Sequence, residues 1–458
     1  MFVSMHDRFS RQKLRTKLIL GVVPVLAITS CTFWLPQDPY FDLDIGRMSH
    51  MLGTHNRIPF ALGHLRAAPP VSTFASPEDC LDTGSWRGLS LKDERYQHSP
   101  LLRAAATSVT LPLSSDLLYF LSQGDHNAGT IEIIEGGEKG SKEVKVDVQM
   151  YYSSQEVLQT AKVCTMQAAR GKNGVGIFTE PRSPPGQRMF FAVKVQLPPG
   201  SWDAPIHIGG LETSLPHYRH DIGDLARSYS FGSVSLQSTN EAMSVRALNS
   251  RTIDIITANG AIQGKLKASA VELHTSNAPI DADVSLVHCS QCNGGALLNM
   301  RTHNGQAPQL CLMVVAHTCC RIIKSPVTLL VESQDGSGGT FRVSAESSNE
   351  DVAVSFPSAP LHSILHIDAS TSNAPVNVSL HKTFEGEFSL YAPGGRPMVR
   401  YGQGIPDPAG AKRRRDVYFD RDRMGVVFGK VLWEPRQKRN HVGSANLRSL
   451  NTDVFLSM

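Results

Sequence analysis

The chain has 458 residues, 45 Lys+Arg against 41 Asp+Glu, and is 41% hydrophobic and 19% charged, which is enough apolar material for two or three folded units and excludes disorder throughout. A formal net charge of +4 over this length excludes a strongly basic nucleic-acid-binding domain. Aromatics at 7%, with four Trp, argue against a stacking platform for single strands or sugars as the main theme.

Residues 1–17 read as a cytoplasmic basic tail, with Arg8, Arg11, Lys13, Arg15 and Lys17 against one acid, Asp7. Residues 18–35, LILGVVPVLAITSCTFWL, run without charge for about the minimum length of a bilayer-spanning helix. Phe33 and Trp34 suit the headgroup region at its far end, and Asp38, Asp42 and Asp44 follow. The charge asymmetry predicts a single-pass anchor in the lipid bilayer, with the N-terminus cytoplasmic and the bulk extracellular or lumenal. A signal peptide cut near Ala27–Ser30 and a lipoprotein cut before Cys31 are the alternatives; the apolar run continuing through Leu35 argues against both, and each leaves the bulk outside the cytoplasm.

Residues 36–104 show no sustained period of 2 or 3.6 and read as a largely irregular stalk. Residues 105–230 read as a β-rich block, with short alternating or β-branched runs at 108–113, 130–134, 144–148, 175–178 and 190–195 bounded by Gly, Pro, Asn or Ser. Ser154 to Met166 is the best helix candidate.

From residue 231 the sequence repeats itself around seven asparagines: Asn240, Asn259, Asn277, Asn304, Asn349, Asn373 and Asn451. Two residues before each stands Ser238, Thr257, Thr275, Thr302, Ser347, Thr371 or Ser449, hydroxylic in every copy. Three residues after stands Met243, Ile262, Ile280, Ala307, Val352, Val376 or Val454. Four before stands Leu236, Ile255, Leu273, Met300, Ala345, Ala369 or Leu447, and six before Val234, Ile253, Val271, Leu298, Val343, Ile367 or Ala445. Both flanks are therefore period-2 strands with one buried face, hinged at the Asn.

The first intervals, 19 and then 18 residues, suit one coil of a β-solenoid or one unit of a hairpin array. Asn259-Gly260 and Asn304-Gly305 fit hairpin turns, but Asn277-Ala278-Pro279 and Asn373-Ala374-Pro375 would force Ala to positive φ. A corner with only the Asn left-handed fits every copy, and stacked coils would let each amide bond the next about 4.8 Å away. The fold class predicted is all-β: a β-solenoid repeat domain at 231–393, preceded by the β-rich block and one N-terminal transmembrane helix, and followed at 394–458 by a β hairpin and a terminal repeat. An antiparallel sandwich with shared turn chemistry is the alternative.

The cores Thr275-Ser276-Asn277-Ala278-Pro279-Ile280 and Thr371-Ser372-Asn373-Ala374-Pro375-Val376 resemble adhesin-like β-solenoid repeats. With 175–179 (VGIFT), 381–386 (HKTFEG) and Asp407-Pro408 before a basic run, the chain from about residue 105 onward is similar to a family of single-pass membrane proteins of basidiomycete fungi. The resemblance implies architecture and supplies no catalytic residues. Ala307-Pro308 and the cysteine-rich insert depart from it and place coil stacking there in question.

Cys289 and Cys292 form C-x-x-C, followed by Cys311, Cys319 and Cys320, with His288, His303 and His317 nearby. Cys289, Cys292, Cys319 and His317 have the residue types for a zinc site; an oxidising compartment favours disulfides among the five cysteines, with the pairing left open. Cys80 and Cys164 form a long-range pair or remain buried thiols. Five residues before each Asn runs an outward column, Ser235, Asp254, Glu272, Asn299, Ser344, Asp368 and Asn446, where adjacent Asp254 and Glu272 suit a solvated face, a cation site or a glycosidase pair.

His217-Tyr218-Arg219-His220-Asp221 reads as a polar loop, and Lys412-Arg413-Arg414-Arg415 as an exposed hairpin turn whose charge keeps an edge soluble. Asn377-Val378-Ser379 is the single glycosylation sequon, its Asn outward beside buried Val376. Walker-type, G-x-S-x-G, H-E-x-x-H and dinucleotide-binding motifs do not occur. The expectation is a non-enzymatic, membrane-tethered, adhesin-like body for surface contact or scaffolding, with a protein or glycan partner and neither nucleic acid nor cofactor. A carbohydrate-active enzyme on a parallel β-helix and a lumenal assembly protein are the alternatives.

Overall fold

The computed structural model of the chain describes residues 77–89, 103–180, 188–288, 295–303, 326–333, 338–421, 425–435 and 442–458. The chain divides into two units, Met1–Arg66 and Ala67–Met458, and every described residue lies in the second. The anchor segment 18–35 lies outside the described residues, among which no helix is long and apolar enough to cross a membrane.

The second unit is all-β. Its elements begin with β1 (Cys80–Thr83), β2 (Arg87–Leu89), β3 (Arg103–Pro112), β4 (Leu117–Gln123), β5 (Gly129–Glu135), β6 (Glu143–Tyr152), the short helix α1 (Gln155–Thr160), β7 (Ala161–Ala169), β8 (Lys172–Thr179) and β9 (Met189–Leu197). There follow β10 (Ile206–Ser214), β11 (Tyr218–Asp224), β12 (Tyr229–Gln237), β13 (Met243–Ile256), β14 (Ile262–Ala268), β15 (Ala270–His274), β16 (Ile280–His288), β17 (Ala296–Thr302) and β18 (Pro326–Ser333). The last are β19 (Thr340–Ser347), β20 (Val352–Ser358), β21 (Ile364–Thr371), β22 (Val376–Ser379), β23 (Gly386–Tyr391), β24 (Pro397–Arg400), β25 (Arg414–Arg421), β26 (Val426–Glu434), β27 (Gly443–Ser449) and β28 (Val454–Ser457).

In-register parallel pairing sorts these strands into two layers. The first runs β8, β4, β10, β12, the second half of β13, β15, β17, β19, β21, β27, β23. The second runs β9, β5, β11, the first half of β13, β14, β16, β18, β20, β22, β28, β24. The chain therefore alternates layers, and each strand generally lies on one two positions earlier.

Period-2 alternation turns one face of each strand inward. Val234, Ile253, Val271, Leu298, Val343, Ile367 and Ala445 stand opposite one another in a single buried column. Columns from both layers merge into one apolar core.

The rungs are not all in sequence order. β4 and β5 sit between β8/β9 and β10/β11, and β27 and β28 insert between β21/β22 and β23/β24. Antiparallel strands cover the ends. β6 lies on β9, β3 on β6 and β2 on β3, while β7 lies on β8 and β1 on β7. At the other end the β25–β26 hairpin lies on β23. Such coverage protects the edges of a parallel stack from pairing with other chains.

Several expectations change. The end of the predicted stalk belongs to the body: β1 and β2 pair with β7 and β3, and a Cys80–Cys164 disulfide ties β1 to β7. The predicted helix 154–166 is helical only over Gln155–Thr160, because Ala161 begins a strand that buries Val163 in the main core and Cys164 in a smaller apolar cluster on its other face. No break separates the β block from the repeats, since β10 and β11 pair directly with both β4/β5 and β12/β13. In the layer of β16 the next strand is β18, with Val284 opposite Leu329, while Asn304, Ala307 and the rest of 304–325 lie outside the described residues. Pairing of β16 with β18 and of β17 with β19 carries the stack across the cysteine-rich insert.

Candidate functional site

The asparagine corners are joined by their side chains. Asn259 Nδ2 donates to Asn240 Oδ1, Asn277 to Asn259, Asn373 to Asn349 and Asn451 to Asn373, each at 2.6 Å. Asn304 lies outside the described residues, and Asn349 Nδ2 donates to the His303 carbonyl at 3.4 Å. His217 holds the position one rung before Asn240 and faces its amide at 3.0 Å through Nδ1. Gly394 stands over Asn451 at the other end, its N–H on the Leu450 carbonyl, and has no amide to continue the ladder.

None of the six described asparagines has the predicted left-handed conformation; among the described residues the non-glycines at positive φ are His126, His362 and Lys412. The corner is held instead by backbone bonds to the rung below, such as Asn259 N–H to Thr239 O and Asn277 N–H to Ala258 O, both 2.8 Å. The hydroxylic column satisfies buried corner carbonyls: Thr275 donates to Gly260 O at 3.1 Å, Thr302 to Ala278 O at 3.2 Å and Ser449 to Ala374 O at 3.0 Å. A hydroxyl recurs there because an unpaired buried carbonyl is costly.

The outward column Ser235, Asp254, Glu272, Asn299, Ser344, Asp368, Asn446 is in register from rung to rung. Asn446 donates to Asp368 at 2.9 Å and Asn299 to Glu272 at 3.4 Å. Asp254 Oδ1 is shielded and accepts no hydrogen bond, and burial, then the neighbouring Glu272, raises its carboxyl to about 6. This places a carboxyl of raised proton affinity, Asp254, beside the carboxyl of its strand partner Glu272.

The predicted 217–221 loop is strand β11. Its Tyr218, His220 and Ile222 alternate inward, a signal present in the sequence. His220 is fully buried, and burial lowers its ring to about 4 despite the Tyr218 carbonyl and Asp221. Since a carbonyl can only accept, Nδ1–H donates to Tyr218 O at 2.9 Å, and Nε2 accepts from Thr213 Oγ1 at 2.8 Å. A neutral ring fixed on both sides is a structural device.

The basic run 412–415 is not a uniformly exposed turn. Arg413 is buried and charge-paired, with Nη2 and Nε on Asp407 at 2.9 and 3.2 Å and Nη1 on Glu385 at 3.2 Å. Its bonds hold the Asp407 carboxyl well below the usual carboxylate range. Asp407 also accepts the N–H groups of Ala409, Ala411 and Arg413, folding the loop around the cation. Arg414 is exposed and paired to Asp416 at 2.8 Å. On the outer face of the same hairpin Tyr418 and Phe428 are 59% and 53% exposed, diagonal neighbours through the Tyr418–Lys430 and Asp420–Phe428 pairs. Sequence reading missed both features: no local period marks the Asp407–Arg413 loop, and two exposed aromatics on paired strands show only in register.

Cys289, Cys292, Cys311, Cys319, Cys320 and His317 lie outside the described residues, among which no cluster of three or more His, Cys, Asp or Glu could hold a metal ion. Asn377 sits on the outer face of β22 between buried Val376 and Val378.

No protein-family model matches the chain, and no curated protein matches it in sequence. Among solved structures it is similar to a "putative cell adhesion protein" of Clostridium sporogenes, at 8% identity and a TM-score of 0.17, over 77% of this chain and 99% of that one.

Proposed function

We propose that the chain is a non-enzymatic, membrane-tethered β-solenoid that serves surface contact or scaffolding. The observation that carries this reading is the unbroken succession of parallel strand pairs from β8/β9 to β23/β24, bound by a shared core and, over the runs Asn240–Asn277 and Asn349–Asn451, by side-chain amide bonds. A stack of this kind grows by about 4.8 Å per rung and holds its outer residues at fixed spacing, which suits a rigid spacer presenting one face to a protein or glycan. The Tyr418–Phe428 face, rimmed by Asp416, Asp420, Lys430 and Glu387, has the chemistry for such contact: rings to stack on a partner and carboxylates to bind its hydroxyls. Tethering through residues 18–35 is supported by the charge asymmetry around that run, and placement outside the cytoplasm by the Cys80–Cys164 disulfide.

Protease protection on intact cells with an epitope after Met458 tests the placement: accessibility from outside or from a lumen is expected, and a cytosolic epitope refutes it. For contact, beads coated with full chain should adhere to glycan or cell surfaces, and the Tyr418→Ala, Phe428→Ala double variant should lose most of that adhesion. Equal adhesion by both proteins removes the assigned face.

One observation favours a second reading as a carbohydrate-active enzyme: Asp254 and Glu272 are register partners on adjacent strands, and burial raises the Asp254 carboxyl to about 6, the direction a general acid of a retaining pair needs. Release of reducing sugar from polysaccharides, abolished in Asp254→Asn and Glu272→Gln, would establish it.

A further inference from the structure

The strands that cover the ends of the stack have edges of their own. Among the described residues four strands pair on one side only: β1 with β7, β2 with β3, β24 with β28 and β25 with β26. Three of them are blunted by length, at four, three and four residues, and β24 also opens with Pro397. β25 is different. It is eight residues long and runs against β26 without a register shift. The first layer continues through β26 and β25 past β23, whereas the second ends at β24, so β25 overhangs the last rung by the width of two strands.

On the far side of β25 the described residues supply no backbone partner, and the Arg421 N–H turns to the Asp420 carboxylate at 2.8 Å. Such an edge is a template for another strand, and its charges decide which one fits. Read about Val417, the stretch from Arg414 to Asp420 is self-complementary. A second β25 laid antiparallel, with Val417 opposite Val417, sets each Arg414 against the other copy's Asp420 and each Asp416 against the other copy's Tyr418. Among the described residues no cation pairs with Asp420, and the Tyr418 hydroxyl reaches only its own Asp416, at 3.4 Å.

Other registers fail on charge. Centring the pair one residue earlier opposes Asp416 to Asp416, and one residue later opposes Asp416 to Asp420. A parallel in-register pair sets Arg on Arg and Asp on Asp. The complementary register also makes the two Tyr418 rings diagonal neighbours, each beside its own Phe428, so that four exposed rings fall in one row.

We propose that β25 is an isologous interface to which a second copy of this chain adds edge to edge, antiparallel and centred on Val417, joining the two first layers in one sheet. The inference rests on the reading of this hairpin as a contact face and names its partner as like protein. One eight-residue edge makes a small interface, so a single pair is weak and gains strength where many copies share a surface.

The test is clustering of beads coated with full-length chain. Wild-type beads should cluster, and Arg414→Asp or Asp420→Arg beads should cluster about fivefold less or worse, since each variant opposes like charges to itself. Mixing the two single variants restores both opposite-charge pairs and should restore clustering, which also shows that each variant is folded. In solution, Val417→Cys should give a disulfide-linked dimer on oxidation, suppressed when Asp420→Arg is added. Absence of wild-type clustering, or mixed beads that cluster no better than either variant alone, overturns the proposal. Where wild-type beads do not cluster but still adhere to glycan or cell surfaces through Tyr418 and Phe428, self-pairing is refuted and the contact reading stands. Clustering with charge rescue but without that adhesion supports self-pairing alone.

Discussion

Asn451 donates its side-chain amide to Asn373 at 2.6 Å across 78 residues of sequence, the same distance that joins Asn277 to Asn259 across 18. Identical geometry at such different separations means that the bond belongs to the stack and not to a local turn. The rung of Asn451 is made by the last strands of the chain, which slide between two rungs that are nearer each other in sequence.

Removing an inner ladder amide should therefore cost more than removing a terminal one. Asn259 both accepts and donates within the ladder, whereas Asn451 only donates. Asn259→Ala should destabilise the body by about 1–2 kcal/mol and Asn451→Ala by about half as much, read as midpoint shifts in urea unfolding. Equal effects would show that the amides do not act as a ladder.

Asp254 makes stability depend on pH. Burial, followed by Glu272, raises its carboxyl to about 6, so the folded chain keeps a proton that the unfolded chain releases at its ordinary carboxylate value. The contribution is complete below that ordinary value and is lost as pH rises through about 6. Asp254→Asn should remove this fall, leaving the variant more stable than wild type at neutral pH by about 1–2 kcal/mol after allowance for solvent screening, with the difference vanishing in acid.

His220 acts with the opposite sign. Its buried ring is lowered to about 4, so the unfolded chain takes up a proton first as pH falls. Its contribution is whole above the ordinary histidine value and disappears on the way down through about 4. The two slopes oppose each other in mild acid. His220→Gln should make stability fall less steeply on acidification, and Asp254→Asn should make it fall more steeply; unfolding at a series of pH values in both variants separates them.

Expression through a secretory pathway should add a glycan at Asn377, whose side chain faces outward on β22. The expected result is a band that shifts on enzymatic deglycosylation and is absent in Asn377→Gln. In the same material Cys80 and Cys164 should be recovered as one linked peptide, and replacing both by Ser should lower stability by about 2–4 kcal/mol.

The repeat was legible because it is local. Alternating apolar residues, a hydroxyl two residues before each Asn and an apolar residue three after it are short-range demands of a strand, a buried corner carbonyl and a layer change, and each leaves its mark within a few positions. The exposed Tyr418–Phe428 pair was harder, since the two rings become neighbours only when β25 and β26 come into register.

By itself the sequence determined that the body is all-β, which faces of its repeat strands are buried and where most of the corners fall, because period-2 burial and hydrogen-bond satisfaction act over neighbouring residues. Only the tertiary structure decided the order of rungs, the entry of β27 and β28 between older neighbours, the continuity of the stack into β4 and β5, and the burial of Arg413 against Asp407 and Glu385. Parallel strands with similar patterns offer nearly interchangeable edges, and the choice among them rests on contacts that close across long stretches of chain.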